Sequence, residues 1–195
     1  MAKSSLFRLS YRQKFKFFQK KTGFWLVWLF LGLLFQPSFA QAETQTLPIT
    51  QLSEIQLPDD ELVSLEGQRF SFANARNGKA LLINFWATWC APCVVELPEL
   101  EEAAHKLADD NIEVILISVD RKGLEHAQSF LDERGIKTPL SLHSSMSEWP
   151  RQLGLRGLPS SFLISADQAQ IYAVQGAASW ADEAILDEIR ALIAP

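Results

Sequence analysis

The chain contains two cysteines, Cys90 and Cys93, within the stretch "NFWATWCAPC" (84–93). A thiolate at the first cysteine can attack a disulfide, and a second thiol one helical turn later can close a ring and release the product. Pro92 between them suits the first turn of a helix, where its missing N–H would have no helical partner anyway. The spacing therefore predicts a nucleophile and a resolving thiol supplied by a single turn.

Other uses of such a pair fit the sequence less well. A zinc site needs about four ligands, and the chain adds only three scattered histidines, so we expect no metal site. Haem attachment requires a histidine directly after the second cysteine, where Val94 stands. A structural disulfide remains the alternative for an exported protein, although so short a loop gains the least stability from closure. We expect no cofactor beyond the disulfide itself.

The net charge of the chain differs sharply between the N-terminal segment and the body that follows it. Seven basic residues and no acidic one precede residue 22, whereas residues 41–195 carry 11 Lys+Arg against 23 Asp+Glu, about −12 net. An acidic body argues against nucleic acid as a partner, because phosphate binding requires a cationic face.

An apolar run follows the basic segment. Residues 24–35 are apolar apart from Gly32, and small residues follow near 38–42, as in a secretory signal. A spanning helix of about 20 residues is reached only if the run extends to residue 42. We therefore expect residues 1–42 to be a signal peptide or a membrane anchor, with the body outside the cytosol, either soluble after cleavage or tethered by residues 24–42.

The elements that must position the cysteines follow from apolar periodicity. Residues 43–61 are polar with two prolines and are predicted to be a linker. Buried strands are predicted at 80–86 and 113–119, and shorter strands at 68–72 and 138–142. Helices are predicted at 94–108, with a kink at Pro98, and at 123–135, 147–154 and 180–193. Residues 160–165 and 169–176 read as an antiparallel hairpin.

This alternation of strands and helices, followed by a hairpin and a last helix, indicates an α/β domain over residues 62–195. Its sheet should be partly parallel and partly antiparallel.

Four quoted stretches together resemble the thioredoxin-fold proteins of the TlpA/ResA type, related to the redoxins: "ALLINFWATWCAPCVVELPEL", "VILISVD", "FLDERGIKTPLSL" and "LGLRGLPSSFLISADQAQIYAVQG". The resemblance spans about residues 57–195. It implies a thioredoxin fold: a central mixed sheet flanked by helices, with an N-terminal strand extension. It also implies a thiol–disulfide oxidoreductase of the bacterial periplasm, either soluble after signal cleavage or tethered to the inner membrane by residues 24–42.

The resemblance also implies roles for single residues. Cys90 would be the nucleophile, Cys93 the resolving thiol, and Leu158–Pro159 a cis peptide facing them, where a substrate strand could pair. Trp89 and Pro92 would offer contact to the substrate beside the nucleophile. Without the resemblance, Pro159 reads as an ordinary proline at the entry of a strand.

Two positions distinguish the chain from thioredoxin itself. Thioredoxins have a buried aspartate six residues before the first cysteine, and here that position is Asn84, which cannot act as a base. Glu96, one turn beyond Cys93, is shared by the TlpA/ResA group, and we predict that it assists proton transfer to or from Cys93. The alternative is a solvated carboxylate, since "ELPELEE" (96–102) reads most simply as the exposed side of its helix. Trp180 and Trp149 read as core anchors.

The sequence thus predicts an exported oxidoreductase that reduces protein disulfides. The resemblance implies apocytochrome c as a client, cytochrome c maturation as the pathway and a membrane thiol-type electron donor; a general periplasmic thiol reductase is the close variant. Two other classes stay open: a thioredoxin-fold binding module without turnover, and a thiol peroxidase.

Overall fold

The computed structural model describes residues 46–52, 62–64, 67–70, 78–144, 154 and 156–194. Its central strand is β4 (Ala80–Trp86), in which every residue is buried. A continuous apolar run with β-branched and aromatic members suits a strand that is covered on both faces. Alternate side chains of β4 enter two separate apolar clusters, one on each face of the sheet. The strand predicted at 80–86 is confirmed residue for residue.

Seven further strands complete one mixed sheet among the described residues: β1 (Ile49–Leu52), β2 (Leu62–Ser64), β3 (Arg69–Phe70), β5 (Ile112–Ser118), β6 (Leu140–His143), β7 (Ser160–Ile164) and β8 (Ile171–Gln175). Their spatial order is β1-β8-β7-β4-β5-β6-β2-β3. β4, β5 and β6 are parallel neighbours, whereas the β7–β8 hairpin adds to β4 antiparallel. The mixed α/β sheet and the hairpin are as predicted.

The segment predicted as a linker differs from that reading at residues 49–52. These residues form β1, which pairs antiparallel with β8 from Ile49↔Val174 to Leu52↔Ile171. Leu47, just before it, is buried in the main apolar cluster. Periodicity could not show this strand, because its burial alternates weakly and its stability comes from a hydrogen-bonded partner more than a hundred residues away.

Three helices are described: α1 (Ala91–Leu107), α2 (Leu124–Asp132) and α3 (Glu183–Ile193). All three contribute buried side chains to the same apolar cluster on one face of the sheet. α1 follows β4 directly and leads to β5, so it lies against the two central strands and fixes the place of the cysteines. Helix α1 begins three residues earlier than predicted and continues through Pro98.

Several predicted features lie outside the described residues. They are the signal peptide or anchor at 1–42 with its apolar run 24–42, residues 43–45 and 53–61 of the linker, residues 71–72 of the strand predicted at 68–72, and the helix at 147–154 with Trp149, apart from residue 154. Among the residues that the structure describes, no helix is both long and apolar enough to span a bilayer.

Candidate active site

The two cysteines form a disulfide at the start of α1. Their S–S distance is 2.01 Å and their Cα atoms lie 5.3 Å apart. Cys90 is the N-cap residue, and its Sγ accepts a hydrogen bond from the backbone N–H of Cys93 at 3.3 Å. An N–H at a helix N-terminus favours a thiolate at that position, because unpaired donors and the helix dipole both stabilise negative charge. The arrangement suits Cys90 as the attacking sulfur.

Exposure distinguishes the two sulfurs and their neighbours. Cys93 is fully buried, whereas Cys90 retains 6% of its surface. Trp89, directly before Cys90, is 68% exposed, and Pro92 is exposed as well. A partner that contacts Trp89 therefore lies beside Cys90, whereas Cys93 has no surface exposed to solvent. The exposure of Trp89 agrees with its predicted contact to a partner, which itself stays a prediction.

The peptide bond Leu158–Pro159 is cis, as the resemblance implied. The register Phe85↔Ser160 places Pro159 beside the carboxyl end of β4, the end from which the chain continues into the Cys90 loop. Leu158 is half-buried against the apolar cluster that contains both cysteines, and Pro159 is buried. The geometry brings this bond to the same edge of the sheet as the cysteines. Pairing of a substrate strand with it stays a prediction.

Glu96 is not a solvated helix carboxylate, because only 2% of its surface is exposed. Its Oε1 accepts a hydrogen bond from Nδ2 of Asn84 at 2.8 Å. Its Oε2 accepts from Nε1 of Trp180 at 2.9 Å and from the backbone N–H of Ala178 at 3.2 Å. Glu96 lies three residues after Cys93, on the same buried face of α1. The reading of residues 96–102 as an exposed acidic patch is therefore wrong at Glu96, Leu97 and Leu100, because α1 turns these side chains toward the sheet.

Burial raises the pKa of Glu96 above that of an ordinary carboxyl, because a charged group is disfavoured away from water. The hydrogen bonds from Trp180, Asn84 and Ala178 oppose this rise, and the nearby charge of Glu99 adds to it. A carboxyl with a raised pKa can hold or release a proton closer to neutral pH, which is what a proton carrier beside a thiol needs.

Glu96 is connected to solvent through a groove of about 390 Å³. The groove is lined by Val95, Glu96 and Glu99 on α1 and by Ala177–Ser179 opposite, with Thr46–Pro48 and Ile185 completing it. Val95 at its rim is 77% exposed. A proton taken up by the carboxyl can therefore leave toward water without crossing the apolar cluster.

A second buried carboxylate anchors the loop before Cys90. Asp120 accepts the backbone N–H of Thr88 at 2.8 Å and its hydroxyl at 2.9 Å, and Ser118 donates to the same carboxylate at 3.3 Å. The Thr88 hydroxyl also lies 3.4 Å from Nε2 of His126. These bonds hold the turn that presents Trp89 and Cys90 to solvent.

Sequence reasoning missed Trp180, Asn84 and Asp120 as parts of this site. Trp180 is fully buried, as expected of a core anchor, but its indole N–H also binds Glu96 across 84 positions of sequence. Two signals were available for Asn84: its position in the middle of an apolar strand, where a buried amide requires partners, and its place six residues before Cys90, where thioredoxins have a buried aspartate. Asp120 carried a similar signal, as a charged residue immediately after a buried strand.

Comparison with protein families places most of the chain in one of them. The model of the Redoxin family matches residues 52–189. A curated relative, the thiol-disulfide oxidoreductase ResA of Bacillus thuringiensis subsp. konkukian, is 29% identical over 119 residues, which is 61% of this chain and 67% of the relative. The thioredoxin-like protein YneN of Bacillus subtilis is 34% identical over 87 residues, 44% of this chain and 50% of the relative.

Solved structures show the same fold. A thiol:disulfide interchange protein of the thioredoxin family from Chlorobium tepidum is 27% identical, with a TM-score of 0.58 over 75% of this chain and all of that one. The exposed lipoprotein thioredoxin Etrx1 of Streptococcus pneumoniae superposes with a TM-score of 0.58 at 23% identity, over 69% of this chain and all of that one.

These matches confirm the resemblance on which the predicted fold rested, and they cover the strand, the cysteine pair and the hairpin that build the site. The chain therefore belongs to the Redoxin family, and it is a thioredoxin-fold thiol–disulfide oxidoreductase of ResA-like type whose redox pair is Cys90–Cys93.

Proposed function

We propose that this oxidoreductase works in the reducing direction, on disulfide bonds of proteins in the bacterial periplasm. The observation that carries the proposal is a single arrangement at the start of α1. Cys90, which keeps 6% of its surface exposed beside the exposed Trp89, is followed by a fully buried Cys93, with the buried carboxyl of Glu96 one turn further on.

Two features of this environment act on thiolate charge in opposite directions. The N–H of Cys93 stabilises a thiolate at Cys90 and so favours the reduced pair, whereas the burial of Cys93 and the Glu96 carboxyl one turn further on disfavour thiolate charge and so favour the disulfide. We propose that the second influence is the larger and that the pair strongly favours its disulfide. Such a pair gives up electrons readily when it is reduced.

Each turnover would transfer two electrons in two exchange steps. The Cys90 thiolate attacks a substrate disulfide, forming a mixed disulfide while the substrate S–S bond breaks and one substrate sulfur leaves as a thiolate. The Cys93 thiolate then attacks the Cys90 sulfur, which forms the protein disulfide and releases the second substrate thiolate. The substrate gains two electrons and two protons, and the Cys90–Cys93 pair is left oxidised.

In the second step, Glu96 would accept the proton of the Cys93 thiol, which must ionise before it can attack. The carboxylate is held in place by three N–H donors and opens on a solvent-connected groove, so the proton can leave for water. In re-reduction, the same carboxyl would return a proton to Cys93.

Within this function, we propose apocytochrome c as a client and a membrane protein with a reactive dithiol as the electron donor. The haem-attachment motif Cys-x-x-Cys-His supplies a vicinal pair that must be reduced before haem is bound. Residues 24–42 would tether the domain to the inner membrane if they are not cleaved. An exposed lipoprotein among the structural relatives supports an extracytoplasmic place.

A redox titration tests the direction of electron flow. The full-length chain is equilibrated in dithiothreitol and glutathione buffers, and the free thiols are counted by alkylation. We expect a two-electron transition in the reducing range, near the ~−270 mV of thioredoxin. A transition near the ~−120 mV of the oxidant DsbA would show a disulfide donor instead, which contradicts the proposal.

A trapping experiment separates turnover from mere binding. The variant Cys93→Ser should accumulate a mixed disulfide with an oxidised Cys-x-x-Cys-His peptide, because the resolving sulfur is gone. The matched control Cys90→Ser should trap none, because Cys93 is buried. Equal peptide binding by both variants without a covalent adduct would indicate a binding module, and an adduct equally strong with a peptide lacking the histidine would favour a general thiol reductase.

A further inference from the structure

The two oxygens of the Glu96 carboxylate have different surroundings. Oε2 accepts two hydrogen bonds, from the indole N–H of Trp180 at 2.9 Å and from the backbone N–H of Ala178 at 3.2 Å. Oε1 accepts one, from Nδ2 of Asn84 at 2.8 Å. A carboxylate offers about two acceptor positions on each oxygen. Both positions of Oε2 are therefore occupied, whereas Oε1 has one left.

The donors at Oε2 cannot adapt to a change of protonation. An indole N–H and a backbone N–H only donate, so a proton on Oε2 would meet a donor in each direction. On Oε1, a proton can occupy the free position while Asn84 keeps its bond to the other. The hydrogen-bond pattern thus makes Oε1 the oxygen on which a proton is tolerated.

Trp180 is held firmly enough to impose this asymmetry. Its side chain is fully buried in the main apolar cluster. The turn that contains it is closed by the bond from the N–H of Asp182 to the carbonyl of Ser179, and Asp182 caps α3 by accepting the N–H of Ala184. Helix α3 buries four side chains in the same cluster, so displacing the indole would disturb its packing.

Asn84 is fixed in a similar way on the opposite side. Its Nδ2 also donates to Oγ of Ser161 at 2.9 Å, and the two residues are direct partners across β4 and β7. The carboxylate is thus held between the sheet and the segment that leads into α3. The nearby charged group identified is Glu99 on α1, whereas the donors from β4 and the 178–180 segment are neutral.

We propose that Trp180 is a positioning residue for thiol–disulfide exchange: with the N–H of Ala178 it immobilises Oε2 of Glu96, so that Oε1 exchanges the proton with Cys93. This inference rests on the proposed role of Glu96 as proton carrier. Loss of the indole N–H would leave Oε2 open as a second protonation site. It would also destabilise the carboxylate form.

The test follows the resolving step in the full-length chain in detergent, across pH. The reduced protein is mixed with excess oxidised glutathione, quenched with acid, and the glutathione adduct on Cys90 is quantified by mass spectrometry. For Trp180→Phe we expect the adduct to resolve about three- to tenfold more slowly, since a hydrogen bond to a charged group is lost. The midpoint of the rate against pH should move upward, because the carboxylate form of Glu96 is less favoured.

Trp86→Phe is the matched control. Trp86 is also a buried tryptophan of the same cluster, and its ring centroid lies 5.9 Å from that of Phe130. Its Nε1 has no hydrogen-bond partner among the described residues. Trp86→Phe loses the same ring volume as Trp180→Phe, and the pH midpoint of its resolving step should not move. If Trp180→Phe fails to fold, 3-benzothienylalanine at position 180 keeps the shape and removes only the N–H, and the same upward shift is expected.

The outcomes separate the two ideas. If Glu96→Gln removes the pH-dependent component while neither Trp180 variant moves the midpoint, Glu96 carries the proton and the positioning role of Trp180 is overturned. If Glu96→Gln leaves the profile unchanged, the proton-carrier role itself fails. An upward shift that also occurs in Trp86→Phe would indicate a general packing effect and would overturn the inference as well.

Discussion

Glu96 and Glu101 stand five residues apart on α1, and each accepts three hydrogen bonds, yet their pKa values move in opposite directions. Glu96 binds N–H groups of Asn84, Ala178 and Trp180. Glu101 binds the backbone N–H groups of Lys137 and Thr138 and the hydroxyl of Thr138. The pKa of Glu96 is raised and that of Glu101 is lowered.

Burial explains the difference. For both residues, burial is the largest single influence and raises the pKa. At Glu96, which is almost inaccessible, burial outweighs three donors. At Glu101, which is only partly covered, the donors from Thr138 and Lys137, together with the nearby His105, outweigh it. The same residue type with the same number of partners thus has a raised pKa in one place, which suits the proton transfer that we propose for Glu96, and holds a loop in the other.

The largest effect is expected from Glu96→Gln. Loss of general acid–base assistance should slow the resolving step about 100-fold near neutral pH and remove its pH-dependent component. Acid-quenched reactions with oxidised glutathione measure the rate of the resolving step and its dependence on pH. The matched control is Glu102→Gln on the same helix, an exposed carboxylate paired with Lys106, which should leave the profile intact. A rate that stays unchanged in Glu96→Gln would contradict the role of Glu96 in proton transfer.

A smaller effect, on stability rather than rate, is expected from Glu101→Gln. The variant loses hydrogen bonds from the segment after α2, and we expect the free energy of unfolding to fall by about 1 kcal/mol, since the carboxylate is partly exposed. Urea unfolding at neutral pH measures this change, with Glu102→Gln again as the control. Exchange kinetics should remain those of the wild type. A slower resolving step would contradict the assignment of Glu101 to structure alone.

The two carboxyls should also affect the pH dependence of stability with opposite sign. Glu101 has a lowered folded pKa, so its contribution is full above the ordinary carboxyl value of 4.5 and is lost as the pH falls through the folded pKa. Glu96 has a raised folded pKa, so its contribution is present below 4.5 and is lost as the pH rises through the folded pKa. Urea midpoints from acidic to neutral pH for the two Gln variants, relative to wild type, should therefore change with opposite slopes. Slopes of the same sign would contradict the opposite pKa shifts of Glu96 and Glu101.

The smallest effect is expected from Glu99→Gln. Glu99 raises the pKa of Glu96 by charge repulsion, the least of the influences identified there. Removing its charge should move the pH midpoint of the resolving step slightly downward and change the rate by less than about threefold. An upward shift of the pH midpoint would mean that Glu99 stabilises the Glu96 carboxylate, which would contradict charge repulsion between the two groups.

Much of this architecture could be predicted from local pattern. The apolar run at 80–86 could only be a buried strand, and the pair Cys90–Cys93 with Pro92 between them marked the start of α1. The β7–β8 hairpin was also visible, because its two strands are separated by a short polar turn. These features depend on residues that are neighbours in sequence. The family resemblance implied an N-terminal strand extension, but the position of β1 was not predicted because its partner β8 is remote in sequence.

From the residues alone the site was predictable only where its chemistry is local, whereas the remote cis bond Leu158–Pro159 was implied by the family resemblance. Glu96 could be named from its place one turn after Cys93, but whether it is solvated or buried depends on Trp180 and Asn84, which reach it across 84 and 12 positions of sequence. Asp120 shows the same limit: it fixes Thr88 across 32 positions.

The sequence by itself determined the cysteine pair and the strand–helix unit that presents it, because spacing within one helical turn is a local property. The tertiary structure decided whether Glu96 is buried and in which direction its pKa is shifted. A carboxyl acquires its pKa from the water it loses and the donors it meets, and both come from segments that only the folded sheet brings together.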